Sequence, residues 1–389
     1  MAPVELDPAT ELRVLLVAPF ERGREQGGSQ RATALAERME ERGAVLSWRR
    51  VGQQRKSTRR KALDLARLRP SMLGDVSAQL PSDGSGCEVA VAAHSFLAPQ
   101  LDALPRHVPR VIDFHNLEWQ HMTDSATLEA PGAGLQGAVR KRYMSSQIRL
   151  IRRYERSLVR RSDLSLFVSE PEIEWARAVP GRGDALLVPS VLPRATERAA
   201  LAIAERRRPD DDGPQLVYVG TLAFPPNAMS LEAFLERSWP AIRHAFPTAR
   251  LAIAGACDDR LRSSVESHPG VRALGYVEDL GPLLTRCTAA VMPFEGLAGT
   301  SLRALFYALA RVPVIGSPGA FRGLTFRLGI QAVTPRDWTD ALGRVVCSGA
   351  PFTVEAHHAA VKGQRDPAPW DALRDRLAAL ARRNGGRPK

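Results

Sequence analysis

The chain has 389 residues, of which 44% are hydrophobic and 25% charged, with a formal net charge of +12. That length exceeds one comfortable core and fits two domains of ordinary size, and the apolar content argues against extended disorder. No run approaches the roughly 18 consecutive apolar residues of a membrane span, and the acidic start MAPVELDPATELR is unlike a signal peptide, so a cytoplasmic protein is expected.

Leu12 to Phe20 predicts the first strand, a nearly unbroken apolar run of the kind a parallel strand covered on both faces requires. A loop from Glu21 to Ser29 containing Gly27 and Gly28 leads to a helix over Gln30 to Arg42, stopped by Gly43. Further strands are predicted at Val45 to Val51, Glu88 to Ala92 with His94 just beyond, Arg110 to Phe114, Leu164 to Val168 and Ala185 to Val188. A long basic helix ending at Arg161 lies among them, and the alternation of strand and helix predicts an α/β domain over residues 1–192. Residues 193–214 are charged and lose strand character, which predicts a linker. The theme then repeats over 215–368. Strands are predicted at Leu216 to Val219, Arg250 to Ala254, Val271 to Leu274, Ala289 to Met292 and Pro313 to Gly316. Helices are predicted at Ser230 to Phe246, Leu280 to Arg286 and Ser301 to Ala310. A last helix, within residues 369–389, is expected to return to the first domain.

The four cysteines, Cys87, Cys257, Cys287 and Cys347, form no CxxC pair, so they are read as small buried hydrophobes and no structural zinc site or disulfide framework is expected. Only five of the 54 basic residues are lysine, leaving 49 arginines, a skew that discounts the net charge as a sign of function. Two basic clusters stand out, Arg49 to Arg69 and Arg140 to Arg161. They are read as solvated faces, with a membrane surface or another anionic partner as the alternative. No nucleic-acid motif accompanies them.

Two stretches have the form of a ligand-facing edge, in which a β-branched run passes through a Gly- or Pro-containing loop into an amphipathic helix: Arg13 to Gly43 and Leu216 to Gly255. The second carries Tyr218-Val219-Gly220-Thr221 and then Pro225-Pro226-Asn227. Downstream come Gly275-Tyr276-Val277-Glu278-Asp279-Leu280, then Pro293 with Gly299-Thr300-Ser301-Leu302-Arg303, then Pro313-Val314-Ile315 and Gly323-Leu324. In this order and spacing the pieces resemble the donor-binding half of family 4 glycosyltransferases. Gly27-Gly28 and His115-Asn116-Leu117-Glu118 are similar to the acceptor half of such enzymes. The resemblance implies two facing Rossmann-like domains, the GT-B arrangement. It also implies a retaining glycosyltransferase that needs no metal and uses a UDP- or GDP-sugar as co-substrate, with no further cofactor.

Leaving-group charge grows on a sugar nucleotide's diphosphate as the glycosidic bond breaks, so amide N–H groups at a helix start and a nearby cation favour the transition state. Gly299, Thr300, Ser301 and Arg303 are the first choice for those contacts, and a plain N-cap beside a surface arginine is the competing reading. Gly27 and Gly28 let backbone approach the donor. Gly220, Thr221 and Asn227 line the same edge. The resemblance implies that backbone at Tyr276 and Val277 meets the base. It also implies that His115 hydrogen-bonds the transferred sugar or orients the acceptor, with Asn116 and Glu118 as further acceptor contacts and His121 a weaker candidate. The acceptor is expected to be a small molecule or saccharide, with a lean toward specialised metabolism; the number of subunits is open.

One position departs from the pattern. Where the family carries a glutamate that holds the ribose hydroxyls, this chain has Phe306. Losing such a charge-assisted pair costs roughly 1.5 to 3 kcal/mol unless another group replaces it. Ala298, Arg311 and Arg322 also depart, and Glu295 is the acid available as a substitute. Two other classes therefore stay open: a catalytically silent binding partner and a sugar-nucleotide epimerase.

Overall fold

The computed structural model describes residues 11–23, 27–52, 57–73, 80, 86–128, 134–210, 212–293, 299–348 and 352–385. They form two compact units. The first comprises Met1–Trp119, Ala133–Pro193 and Asp366–Lys389, the second Gln120–Gly132 and Arg194–Arg365.

In chain order the first unit runs β1 (Leu12–Ala18), α1 (Gly27–Glu40), β2 (Ala44–Arg50), α2 (Thr58–Ala66), β3 (Val89–Ala93), α3 (Ala98–Leu101) and β4 (Arg110–Phe114). It continues with α4 (Glu118–Leu128), which passes into the second unit at Gln120, then α5 (Gly134–Arg161), β5 (Leu164–Phe167), α6 (Glu170–Arg177) and β6 (Asp184–Leu187). Its six strands pair in parallel in the order β2-β1-β3-β4-β5-β6, with Leu16 opposite Val91 and Val91 opposite Val111. Alternate residues feed opposite faces of the sheet. Leu15, Val17, Ala90, Ala92, Ile112 and Phe114 join one core with Leu158 of α5 and Ile173 of α6. Val14, Leu16, Val89, Val91 and Val111 join the other with Leu35 and Met39 of α1. Trp370, Leu373 and Leu377 of the last helix, α15 (Ala368–Gly385), complete that second core, and Arg42 Nε donates to Asp371 Oδ1 at 2.8 Å beside it.

The second unit begins with α7 (Arg194–Arg206), so residues 193–214 are more than the linker expected from their charge. Ala200 and Ile203 are buried on one face of α7. Just beyond, Arg207 donates to the carbonyls of Leu284 and Cys287, both at 2.7 Å. A short apolar stripe among arginines reads as polar in composition yet folds as an amphipathic helix.

There follow β7 (Gln215–Val219), α8 (Pro225–Arg237), α9 (Trp239–Ala245), β8 (Arg250–Ala254), α10 (Asp259–Glu266), β9 (Val271–Gly275), α11 (Gly281–Arg286), β10 (Ala289–Met292) and α12 (Leu302–Leu309). The unit closes with β11 (Val314–Gly316), β12 (Ile330–Gln331), α13 (Pro335–Ser348) and α14 (Phe352–Arg365), the last two helices having no counterpart in the predicted elements. The helix expected over Ser230 to Phe246 is split at Ser238, because Pro240 stands in the first turn of α9 and has no N–H to continue α8. The strands are parallel in the order β12-β11-β10-β7-β8-β9. Each unit is Rossmann-like. Strand order reverses between β1 and β3 in one and between β7 and β10 in the other, and ligands of such sheets bind outside the carboxyl ends of the strands at that reversal.

Candidate active site

In the first unit the carboxyl edge is rich in titratable side chains. The first turn of α1 holds both glycines, the helix beginning three residues earlier than the sequence suggested. A Cβ added at Gly28 would stand 2.7 Å from the Phe20 ring and 3.1 Å from His94 Nε2, so glycine lets α1 start against these rings. His94 itself ends β3 with φ of 117°, a backbone region that a non-glycine residue seldom adopts. Its ring is buried against Phe96 at 4.7 Å and His115 at 3.9 Å between centroids, and Nδ1 lies 3.6 Å from Glu118 Oε1. Neither His94 nitrogen makes a hydrogen bond among the described residues.

The side chain of His115, one residue beyond β4, is buried, with Nε2 3.0 Å from Asp113 Oδ2. Burial first, then the neighbouring His94, pushes its pKa from 6.5 down to about 4, against the pull of Asp113. Asp113 has no exposure. Burial by itself would raise its pKa, but Arg31 and His115 outweigh that and hold the carboxyl well below the usual range. Arg31 donates to Asp113 through Nε at 3.3 Å and Nη2 at 3.1 Å, and to Pro189 O at 2.8 Å, while its guanidinium lies 5.8 Å from the Trp370 ring. This one pair therefore ties α1, β4, the segment after β6 and α15.

The His115-Asn116-Leu117-Glu118 turn is held from below by two buried glutamates. Glu155 of α5 accepts from Ser95 Oγ at 2.9 Å, Glu118 N at 3.0 Å and Trp119 N at 3.3 Å. Glu172 of α6 accepts from Leu117 N at 3.3 Å and Ser169 Oγ at 3.0 Å. Together they satisfy amide groups that the start of α4 leaves without helical partners. Burial and then the charge of Glu118 raise Glu155 to about 8, despite the opposing hydrogen bonds. Asn116 is half-buried in the same turn. His121, further along α4 in the second unit, stacks on Phe224 at 6.2 Å, and Asp124 accepts from Arg322 at 2.7 Å.

The second unit's edge is made instead of backbone, glycine and one cation. Gly220 N donates to Ala254 O and Leu222 N to Ala256 O, each at 2.9 Å, which lays the loop after β7 on the loop after β8. Gly255 has positive φ, and a Cβ there would collide with the Gly220 carbonyl. Arg303, the second residue of α12, donates from Nη1 to Val219 O at 2.6 Å and from Nη2 to Asn227 Oδ1 at 3.4 Å. Asn227 in turn donates to Thr221 O at 2.8 Å. Gly220, Thr221, Asn227 and Arg303 are thus one cluster at the β7–β10 reversal. The Asn227 amide positions loop and guanidinium rather than standing open. Ser301 Oγ caps α12, accepting from Ala304 N at 3.3 Å, which is the N-cap reading for that side chain. Thr300 Oγ1 is buried with no hydrogen bond among the described residues, and Gly299 has φ of 81°.

Tyr276 is exposed and Val277 half-buried beyond β9. Phe306 is half-buried on α12, its ring 6.3 Å from Tyr307. Glu295 and Ala298 lie outside the described residues. A cavity of about 500 Å³ lies elsewhere in this unit, lined by Phe321, Leu328, Gln331 and Arg344 among others. Strand order and hydrogen bonding, rather than that hollow, mark the candidate site.

Of the cysteines only Cys287 is buried. Cys87 and Cys257 are half-buried and Cys347 is exposed, at variance with a uniformly buried reading. Among the described residues no group of His, Cys, Asp and Glu is disposed to hold a metal ion. In the same residues no helix is long and apolar enough to cross a membrane.

Residues 213–347 match the family model described as Glycosyl transferases group 1, a stretch that includes β7 through α12 and hence both sides of the reversal. No curated protein matches the sequence. Among solved structures, an α,α-trehalose-phosphate synthase (UDP-forming) from Burkholderia vietnamiensis is similar in fold at a TM-score of 0.59 and 12% identity, over 97% of this chain and 100% of that one. Sucrose-phosphate synthase from Thermosynechococcus elongatus is similar at 0.54 and 16%, over 96% and 97%. S. aureus TarM, in a complex with UDP, is similar at 0.52 and 10%, over 75% of this chain; the chain spans 55% of TarM's length. The fold is that of GT-B glycosyltransferases. Within the second unit, residues 213–347 are similar to glycosyl transferases group 1.

Proposed function

We propose that the protein moves a glycosyl group from a nucleoside-diphosphate sugar to a small-molecule or saccharide acceptor, with retention of configuration and without a metal ion. The acceptor hydroxyl oxygen forms the new bond to the anomeric carbon as its O–H bond breaks and the proton is released, and the bond from the anomeric carbon to the terminal phosphate oxygen breaks, leaving its electron pair on the nucleoside diphosphate. The observation that carries this reading is Arg303. The family match covers it, and its guanidinium is fixed at the β7–β10 reversal between Val219 O and Asn227. In this reading Arg303 and the amides from Gly299 to Ser301 receive the growing diphosphate charge, with Thr300 Oγ1 as a further donor. Gly220 and Thr221 approach the donor through backbone, Tyr276 and Val277 flank the base, and Gly27 and Gly28 offer amides from α1. The transferred sugar or the acceptor meets His115, Asn116 and Glu118. His115 acts there as a neutral hydrogen-bonding group, since its pKa of about 4 keeps it unprotonated near neutral pH. His94, unmarked by any motif, has the same surroundings. Synthesis of a specialised metabolite in the cytoplasm is the setting this reading favours.

The Anabaena protein HepE, similar in fold at a TM-score of 0.55 and 10% identity, is solved with UDP and glucose, which supports a UDP-sugar as the first donor to try. Thermal-shift titration with UDP, GDP and dTDP is the test. Stabilisation by one of them, and turnover of its sugar derivative, is expected; no stabilisation by any of the three overturns the reading. Phe306 favours a second reading, a silent partner that binds without transferring. Phe306→Glu separates the two: gained turnover of ordinary donors means the ring stands where a ligand was lost, whereas lost turnover makes the ring part of a working pocket.

A further inference from the structure

β12 is the terminal strand of the second sheet, paired on one side only, with β11. In the order β12-β11-β10-β7 it stands two strands from β10, roughly 10 Å from the reversal at the usual spacing between strands. The chain reaches β12 through an aromatic loop that packs closely on backbone. A Cβ at Gly329 would stand 2.9 Å from Phe321 Cε1, and one at Gly316 would stand 3.2 Å from Phe321 Cζ. Glycine at these two positions therefore lets the Phe321 ring lie against β11 and the entry to β12. Leu328 at 1% and Ile330 at 5% exposure form the buried side of the hollow that results. Its volume of about 500 Å³ falls within the roughly 300–1,000 Å³ of small-molecule sites.

The walls combine two kinds of group. Phe321, Leu324 and Phe326 line the hollow and are half-buried, so each keeps apolar surface uncovered. Arg327, Gln331 and Arg344 line it as well and are exposed, and no acid does so. Among the described residues neither guanidinium has an ion-pair or hydrogen-bond partner. Arg344 belongs to α13, and the acids of that helix are engaged elsewhere: Asp337 accepts from Thr334 N at 2.8 Å, and Asp340 lies 3.6 Å from Arg336. A bare inorganic anion would leave the phenyl rings wet, and a neutral hydrocarbon would leave the cations without a partner. A planar acid meets both needs, its ring against the phenyl groups and its carboxylate accepting from the guanidiniums.

We propose that this hollow binds a small aromatic acid. The inference does not rest on the glycosyl-transfer reading, because Gly220, Thr221, Asn227 and Arg303 take no part in the lining. Isothermal titration of the full chain with 2-naphthoate tests it, with the neutral 2-naphthamide and with acetate as controls. Saturable binding of 2-naphthoate with a Kd on the order of 0.1 mM is expected, and each control should bind at least about tenfold more weakly, since one lacks the charge and the other the ring.

Arg327→Ala and Arg344→Ala should each weaken 2-naphthoate about tenfold. Gln331→Glu keeps the side chain's shape and sets an anion beside the ligand. It should weaken 2-naphthoate by about the same factor while leaving 2-naphthamide unchanged. All three positions are exposed, and melting temperature reports that each variant is folded. Saturating UDP, GDP or dTDP should leave the affinity for 2-naphthoate unaltered. Displacement by a nucleotide would make the hollow part of the strand-reversal site and overturns the proposal. So does the absence of saturable binding, equal affinity for 2-naphthamide, or wild-type affinity in both arginine variants.

Discussion

The two carboxyl edges solve the same geometric problem with different chemistry. In the first unit, charged side chains are taken inside: Asp113 with Arg31, Glu155 and Glu172 under the α4 start, and two imidazoles in contact. In the second, main-chain groups and glycines do the work, and one arginine is fixed by a carbonyl and an amide. Buried charges are costly to leave unpaired, so the first edge should respond strongly to removal of one partner and to pH. Backbone contacts have no rotamers with which to yield, so the second should respond to added volume.

Asp113→Ala is expected to have the largest effect, since it leaves the Arg31 guanidinium buried without its carboxylate. A loss of about 3 to 5 kcal/mol in denaturant unfolding is expected. The paired change Arg31→Met with Asp113→Leu should lose less than the single, and a larger loss would show that geometry rather than charge is what the pair supplies. Next, Gly255→Ala puts a Cβ into the Gly220 carbonyl at a positive φ and should cost about 3 kcal/mol, whereas Gly28→Ala meets the movable Phe20 ring and should cost about 1 kcal/mol. Equal costs would remove the contrast between rigid and yielding neighbours.

Arg303→Ala should weaken donor binding about ten- to a hundredfold, the equivalent of one charge-assisted interaction. Titration of the variant with the nucleotide that stabilises the wild type checks this, and unchanged affinity would leave Arg303 a brace for β7 alone. The smallest effect is a pH signature with two limbs. The folded state holds a proton on His115 more weakly than the unfolded chain does, so its contribution is present above pH 6.5 and lost as pH falls toward about 4. Glu155 runs the other way: its contribution is present below pH 4.5 and lost as pH rises through about 8. His115→Gln should flatten the acid limb of melting temperature against pH, and Glu155→Gln the alkaline one.

Much of the second edge was legible in the sequence, because Gly220, Thr221, Asn227 and Arg303 stand in a recognisable order around predicted strand and helix ends. The structure draws these four together, although Asn227 serves the loop and Ser301 serves the helix cap. The first edge was less legible. His115 and Gly28 were marked by their positions, whereas His94 was visible only as a polar residue after a strand, and nothing in its neighbours announced its backbone conformation. Arg31 lies in a helix expected only to be amphipathic and Glu155 in a basic cluster read as a solvated face, and their burial follows from where those helices pack. The helix at 194–206 was hidden for a related reason, its apolar residues set in a wider stretch, 193–214, where charge predominates until their spacing is mapped on a packed surface.

By itself the sequence determined the alternation of strands and helices, the loops that fall at strand ends, and the glycines that allow close approach, because periodicity and turn chemistry act over a few neighbouring residues. Only the tertiary structure decided which charges pair inside. Arg31 and Asp113 are 82 positions apart, Glu155 and Ser95 60, and Arg303 and Val219 84. Such partners meet only once strand order sets which chain ends share an edge, and burial then makes each pairing obligatory.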